Sequence, residues 1–227
     1  MSSYIALIIL LILLIAIFSM FRPTATQKIT DNLYVVSCGI VNFYAYTTDA
    51  GTILFDTGIN PSIAKGGLKK LGISPDSATH IFLTHSDFDH AGGLKAFNSV
   101  KIYLSKSEVP MVNGKTPRRF FLYNSLPSPY NTLNDGETVT IGKTKIQVFE
   151  TPGHTIGSAS YLIDNRFLIS GDLLRVSKDG KITPFLRFMN MNHQQDIKSI
   201  EMMKSHIENA EYLLTAHTGV YKLPSKS

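Results

Sequence analysis

The stretch Thr84-His85-Ser86-Asp87-Phe88-Asp89-His90-Ala91-Gly92-Gly93 places two histidines and two aspartates within six residues. The short apolar run His80–Thr84 leads straight into it and reads as a strand, and Gly93–Phe97 reads as the start of a helix. A loop at the end of a strand can direct several side chains into one pocket. Imidazole and carboxylate together form a donor set for divalent zinc, iron or manganese. The same context recurs three times further on, in Thr151-Pro152-Gly153-His154-Thr155, Ser170-Gly171-Asp172 and Thr215-Ala216-His217-Thr218. Each stands where an apolar strand gives way to a polar loop. A lone histidine is usually structural, but four of the seven histidines lie in these loops, three of which also carry or adjoin an acid or a glycine turn.

Around these loops the chain alternates strand and helix signals. Leu33–Ser37 and Asn42–Thr47 read as strands, and Asp49-Ala50-Gly51 turns the second into Thr52–Asp56. Ser62–Leu71 reads as a helix, with Pro61 before it and Gly72 after it. Val100–Leu104, Thr138–Ile141, Lys145–Glu150, Ser158–Ile163, Arg166–Ser170 and Tyr212–Thr215 read as further strands, with Asp164-Asn165 as a hairpin turn. Ile197, Ile200, Met203, Ile207 and Ala210 form a core-facing helical stripe. Residues 107–135 are irregular and rich in Pro and aromatics. They read either as a lid over the site or as an insertion packing Phe120, Phe121, Tyr123 and Tyr130 on the core. The mixed pattern predicts an α+β fold with two sheets inside and helices outside.

Composition sets limits on function. The chain has 227 residues, 44% hydrophobic and 17% charged, which suits one globular domain with a sizeable core. The net charge of +5 is not clustered as a nucleic-acid footprint, so no nucleic-acid partner is expected. The tightest basic group, Lys115, Arg118 and Arg119, reads as a solvated loop, with contact to lipid headgroups or an anionic substrate as the alternative. Cys38 is the single cysteine, which excludes an internal disulfide and a cysteine-ligated metal cluster, and it reads as a small buried hydrophobe.

The order and context of the four loops resemble those of the metallo-β-lactamase-fold superfamily, over about residues 30–222. The resemblance implies a four-layer αβ/βα sandwich with metals at one edge of the two sheets. Carried over by position, it implies that His85 and His154 hold a first metal, that Asp89, His90 and His217 hold a second, and that Asp172 bridges them. The chain departs from the family at Asp87, which stands where the family motif has a histidine. A carboxylate ligates through oxygen and hardens the site, moving preference from zinc towards iron or manganese. Two divalent ions are therefore expected, zinc first and iron or manganese as alternatives, with the filling of the first site left open. Asp56, in Ile53-Leu54-Phe55-Asp56-Thr57-Gly58, resembles the family's strand-end aspartate that orients a ligand.

The resemblance implies a metal-dependent hydrolase that uses a metal-bound hydroxide on a small ester, lactone, thioester or amide, with Asp89 orienting the hydroxide and passing a proton to the leaving group. Arg175, three residues after Asp172, is a candidate for holding a substrate carboxylate; a surface arginine is the plainer alternative. Other classes compatible with the same residues are a phosphodiesterase, an iron-dependent oxygen- or sulfur-handling enzyme suggested by Asp87, and a non-enzymatic membrane-bound sensor.

Tyr4–Phe21 is apolar except for Ser19, and its eighteen residues would span about 27 Å as a helix, near the roughly 30 Å bilayer core. Residues 1–22 are therefore expected to be an uncleaved transmembrane anchor, with a signal sequence as the competing reading, followed by a linker over 23–29, the domain over 30–222 and a tail over 223–227. Met1-Ser2-Ser3 lacks the basic start of a signal peptide, and Arg22 and Lys28 after the span favour a cytoplasmic domain.

Overall fold

The structure, a computed structural model, describes residues 2–127 and 129–224; the side chains of residues 2, 3, 6 and 13–18 are outside the description. Of the expected tail, only Leu223 and Pro224 fall within the described residues, and Met1 of the expected anchor falls outside them.

Two sheets form the centre. The first contains β1 (Gln27–Lys28), β2 (Leu33–Cys38), β3 (Val41–Thr48), β4 (Gly51–Phe55), β5 (Ala78–Phe82), β6 (Lys101–Ser105) and β7 (Asn131–Leu133), paired in sequence order. The second contains β8 (Thr138–Ile141), β9 (Thr144–Glu150), β10 (Ala159–Ile163), β11 (Phe167–Gly171), β14 (Tyr212–Thr215) and β15 (Gly219–Lys222), in the order β15-β14-β11-β10-β9-β8. A small hairpin of β12 (Leu174–Val176) and β13 (Ile182–Pro184) lies beside it in sequence. The helices are α1 (Ser2–Ser19), α2 (Pro61–Lys70), the single turns α3 (Phe88–Ala91) and α4 (Val109–Val112), and α5 (His193–Asn209).

Strand alternation divides the apolar residues between layers. On β2, Val35 faces the second sheet in a cluster with Tyr44, Phe55, Phe82, Val148, Tyr161, Ile169 and Leu214, whereas its neighbour Val36 faces outward onto Ala64 and Leu68 of α2. On the far side Met203 and Ile207 of α5 cover Leu162, Leu168 and Leu213. The layers are thus helix, sheet, sheet, helix. Asn60 caps α2 by accepting hydrogen bonds from Ser62 N and Ile63 N, with Pro61 in the first turn. The turn between β10 and β11 holds Asp164 at φ 48° and Asn165 at φ 55°, the two left-handed residues that a tight hairpin requires. The helix expected from Gly93 is a single 3-10 turn, Leu94–Ala96. A Cβ on Gly93 would lie 2.1 Å from the Thr57 carbonyl oxygen, so this glycine lets the first histidine loop press against the end of β4.

The expected membrane anchor is corrected. Among the described residues no helix is long and apolar enough to cross a membrane. The helix begins with Ser2 and Ser3 and ends at Ser19, so its apolar stretch falls well short of a bilayer core of roughly 30 Å. Met20 and Phe21, expected inside the span, have left the helix: the Phe21 ring lies 4.8 Å from that of His217, and Arg22 N donates to the His217 carbonyl at 2.7 Å. Residues 23–29 are bonded to the domain as well. Thr24 N donates to Asn42 Oδ1, Asn42 Nδ2 donates back to the Thr24 carbonyl, and Gln27–Lys28 pairs with β2.

Candidate metal centre

The ends of five strands meet at one edge of the sandwich. β5 leads into His85–His90, β9 into His154, β11 into Asp172, β14 into His217 and β4 into Asp56. His85, Asp87, Asp89, His90, His154, Asp172 and His217 are brought together in three overlapping groups, His85/Asp87/His154, His85/His90/Asp172 and Asp89/His90/His217. Within each group the candidate ligand atoms lie within 4.8 Å of one another.

The imidazoles are held by their Nδ1 atoms. His90 Nδ1 is 2.8 Å from Asp56 Oδ2, His217 Nδ1 2.8 Å from the Ile40 carbonyl, His85 Nδ1 3.0 Å from Thr84 Oγ1 and His154 Nδ1 3.2 Å from Asn190 Oδ1. An imidazole that donates from Nδ1 presents the lone pair of Nε2. All four Nε2 atoms face the cluster carboxylates, and those of His85, His90 and His217 are buried without a hydrogen-bond partner among the described residues, as is Asp172 Oδ1. Buried polar atoms left unpaired in this way are costly, and several at one point call for a cation.

The spacing matches a small divalent ion. Tetrahedral coordination with bonds of about 2.1 Å sets ligands about 3.4 Å apart. His217 Nε2 lies 3.4 Å from Asp89 Oδ2 and 3.3 Å from Asp172 Oδ2, and His90 Nε2 lies 3.4 Å from Asp172 Oδ1 and 3.8 Å from Asp89 Oδ2. The donor set therefore fits a metal.

Asp56 supports this geometry through a left-handed backbone, φ 62°. Its Oδ1 accepts from Thr84 N and its Oδ2 from Thr84 Oγ1, both at 2.8 Å, while the same Oδ2 meets His90. Thr57 N and Oγ1 both donate to the His90 carbonyl, so the turn after β4 holds the histidine loop at two further points.

Burial and neighbouring charges shift the titration of the cluster. Burial alone would lower His90, but Asp56, Asp172 and Asp89 outweigh it and raise its pKa well above the ordinary imidazole value. His217, buried likewise, is carried up to about 10 by Asp172 and Asp89. Burial holds His154 below the usual value against the pull of Asp172 and Asp87. Burial opposes ionisation of Asp172 and Asp89, yet the surrounding histidines keep both below the usual carboxylate range.

Three residues that pattern reading did not place among the metal-ligating loops complete the site. Glu108, fully buried after β6, accepts from Ser86 N at 3.0 Å, Ser86 Oγ at 2.6 Å, Thr155 Oγ1 at 2.7 Å and Gly157 N at 3.0 Å. It ties the first histidine loop to the second. A Cβ on Gly157 would lie 2.0 Å from Glu108 N, which explains the glycine. The available signal was its place just beyond the apolar strand Val100–Leu104, the same strand-end position as the other site residues. Arg118, expected in a solvated loop, instead reaches into the site with its side chain 11% exposed. Its Nε lies 2.9 and 2.8 Å from the two Asp87 oxygens, and its Nη2 lies 3.0 Å from His154 Nε2 and 2.9 Å from the Met189 carbonyl. Asn124 Nδ2 donates to Ser86 Oγ and Asp87 Oδ1, both at 2.8 Å. The segment carrying them runs over the site; of the aromatics expected on the core, Phe120, Phe121 and Tyr123 are exposed, whereas Tyr130 packs against the first core cluster. Arg175 lies half-buried on β12, with Nη2 3.5 Å from the carbonyl of Met20, which follows α1. Cys38 is buried, and burial pushes its thiol up to about 11, which fits a packing residue and not a nucleophile.

Comparison with known proteins gives a consistent outcome. Residues 36–214 match the profile of the Metallo-beta-lactamase superfamily. The chain is 31% identical over 142 residues to the probable metallo-hydrolase YqgX of Bacillus subtilis, covering 59% of this chain and 65% of that protein. It is 30% identical over 125 residues to the hydroxyacylglutathione hydrolase of Rhodospirillum rubrum, covering 55% of this chain and 44% of that protein. The chain thus matches less than two thirds of the length of either relative. Its fold is similar to that of a B3 metallo-β-lactamase with an active-site glutamic acid, with TM-score 0.67 and 23% identity, covering 92% of this chain and 85% of that one.

Proposed function

Since this chain belongs to the metallo-β-lactamase superfamily, a fold whose relatives here are named as hydrolases, we propose that it is a metal-dependent hydrolase of a small ester, lactone, thioester or amide. The observation that carries the reading is the set of buried, unpartnered atoms His85 Nε2, His90 Nε2, His217 Nε2 and Asp172 Oδ1 at one strand-end edge. Asp89, His90, His217 and Asp172 would hold a divalent ion, zinc before iron or manganese. When bound, such an ion lowers the pKa of a water towards neutrality and polarises the substrate's carbonyl oxygen.

The chain's own residues do the rest. Asp89 is kept ionised by His90 and His217, so its carboxylate accepts a proton from the attacking water and returns it to the leaving group. Its side chain is 24% exposed, more open than His90 or Asp172, and thus accessible to a reacting molecule. Asp56 and the Ile40 carbonyl fix the ring orientations of His90 and His217. The acyl substrate class is supported by the relative named a hydroxyacylglutathione hydrolase.

The test is a panel of p-nitrophenyl esters, lactones, thioesters and amides, with bis(p-nitrophenyl) phosphate as the phosphodiester control. Metal-dependent turnover of an acyl substrate, abolished by a chelator and by His90→Ala, is expected. Turnover of the phosphodiester alone, or turnover indifferent to the chelator, would overturn the reading.

A further inference from the structure

We propose that the Arg118 guanidinium occupies the place of the first metal, so that the protein takes a single divalent ion, held by Asp89, His90, His217 and Asp172. The proposal rests on the metal-dependent reading above and deepens it.

The argument begins with lone pairs. A guanidinium carries N–H donors and no acceptor. His154 Nε2 lies 3.0 Å from Arg118 Nη2 and 3.2 Å from Asp87 Oδ2, so it is engaged within the Arg118–Asp87 pair; a guanidinium nitrogen at this distance donates, which uses the single lone pair of Nε2. The proton of His154 then sits on Nδ1, where Asn190 Oδ1 accepts it at 3.2 Å. Both oxygens of Asp87 accept from Arg118 Nε, and Oδ1 also accepts from Asn124 Nδ2. The two side chains expected to complete a first metal site thus have their donor atoms engaged by an arginine. The other half of the cluster is unlike this. His90 Nε2, His217 Nε2 and Asp172 Oδ1 are buried and have no hydrogen-bond partner among the described residues, and the same holds for His85 Nε2, the one side chain expected at the first site that Arg118 leaves unengaged.

Charge leads to the same division. Asp87 is matched by Arg118 at 2.8 Å, which leaves Asp89 and Asp172 as the carboxylates facing the second half. One divalent ion neutralises those two. A second ion beside a buried guanidinium would add two positive charges with no further carboxylate among the grouped ligands to receive them. The Asp87 substitution and Arg118 are then two parts of one device: a histidine at position 87 would leave the guanidinium without a counter-ion.

Arg118 is also built into place. Its backbone N donates to the Leu122 carbonyl, Leu122 N donates to the Arg119 carbonyl, and Asn124 returns the segment to Ser86 and Asp87. Arg118 Nη1 is buried and has no partner among the described residues, so both of its N–H groups are unspent.

The test is metal stoichiometry on the full chain, stripped with a chelator and titrated with zinc, then separately with manganese, by calorimetry and elemental analysis. The wild type is expected to bind one equivalent, Arg118→Ala two, and Arg118→Lys one. His217→Ala should lose the single ion and His154→Ala should keep it. Two equivalents in the wild type, one in a folded Arg118→Ala, or loss of the ion in His154→Ala with retention in His217→Ala would each overturn the proposal. Circular dichroism establishes that each variant is folded, and the wild-type count decides even where Arg118→Ala does not fold. No bound ion at all would remove the metal-dependent reading itself, an outcome distinct from a count of two.

Discussion

The two halves of the histidine–aspartate cluster use the same residue types to opposite ends. Around Asp87 and His154 the acceptors are already met by Arg118 and Asn124, and the region is a closed ion-pair network. Around Asp89, His90 and His217 the imidazole nitrogens are oriented from behind and unpaired in front. On the one-metal proposal, a motif's residues do not by themselves define a metal site; what the neighbouring loop brings to their lone pairs does. On the same proposal, Asp87 and Arg118, 31 residues apart, act as one electrostatic unit.

That contrast can be broken from either side. The largest effect is expected in the open half. His217→Ala should lower kcat/KM on the best acyl substrate by about a thousandfold or more, since it removes a ligand from the reacting ion. A loss below tenfold would place the chemistry elsewhere. In the closed half the expected damage is to stability. Asp87→Ala leaves a buried guanidinium unpaired, at a cost of about 3–5 kcal/mol in denaturant unfolding of the metal-free protein. An Asp87→Ala protein as stable as the wild type would show that the pair is not closed at all. Between the two lies Asp56, which touches no reacting atom but holds His90 and Thr84. Asp56→Asn is expected to weaken zinc affinity by about 10- to 100-fold in chelator competition while leaving the stoichiometry unchanged.

The smallest expected effect is on pH. His217 is carried up to about 10 and His90 is raised as well, so both bear protons at neutrality in the metal-free protein. An ion must displace those protons. Affinity should therefore rise with pH from 6 to 9, and calorimetry in buffers of different ionisation enthalpy should record net proton release at pH 7. The sign follows from the raised values: protonation competes with the metal below them and fades as pH approaches them. Binding without proton release would mean that the imidazoles of the open half are already neutral.

The parts of this molecule that sequence reading reaches are those set by local pattern. The strand-end loops at His85, His154, Asp172 and His217 are legible because each follows an apolar run, and the two-layer core is legible because alternate residues of β2 face opposite sides. The Asp164-Asn165 hairpin follows from residues that accept positive φ. What is not legible depends on where irregular chain closes. Nothing local in Pro117-Arg118-Arg119 distinguishes a solvated arginine from one that reaches Asp87, because the partner is 31 residues distant. Glu108 likewise gains its role from Ser86 and Thr155, which only the folded sandwich brings to it. The N-terminal run misled through composition alone: hydropathy counts Met20 and Phe21 into a span, whereas their backbone turns away at Ser19 and Phe21 packs on His217.

The most direct measurement is a crystal of the zinc-loaded protein examined by anomalous diffraction at the zinc edge. A single anomalous peak among Asp89, His90, His217 and Asp172, with the Arg118 guanidinium still paired to Asp87, is the predicted result. Two peaks, or one peak between Asp87 and His154 with Arg118 displaced, would contradict it.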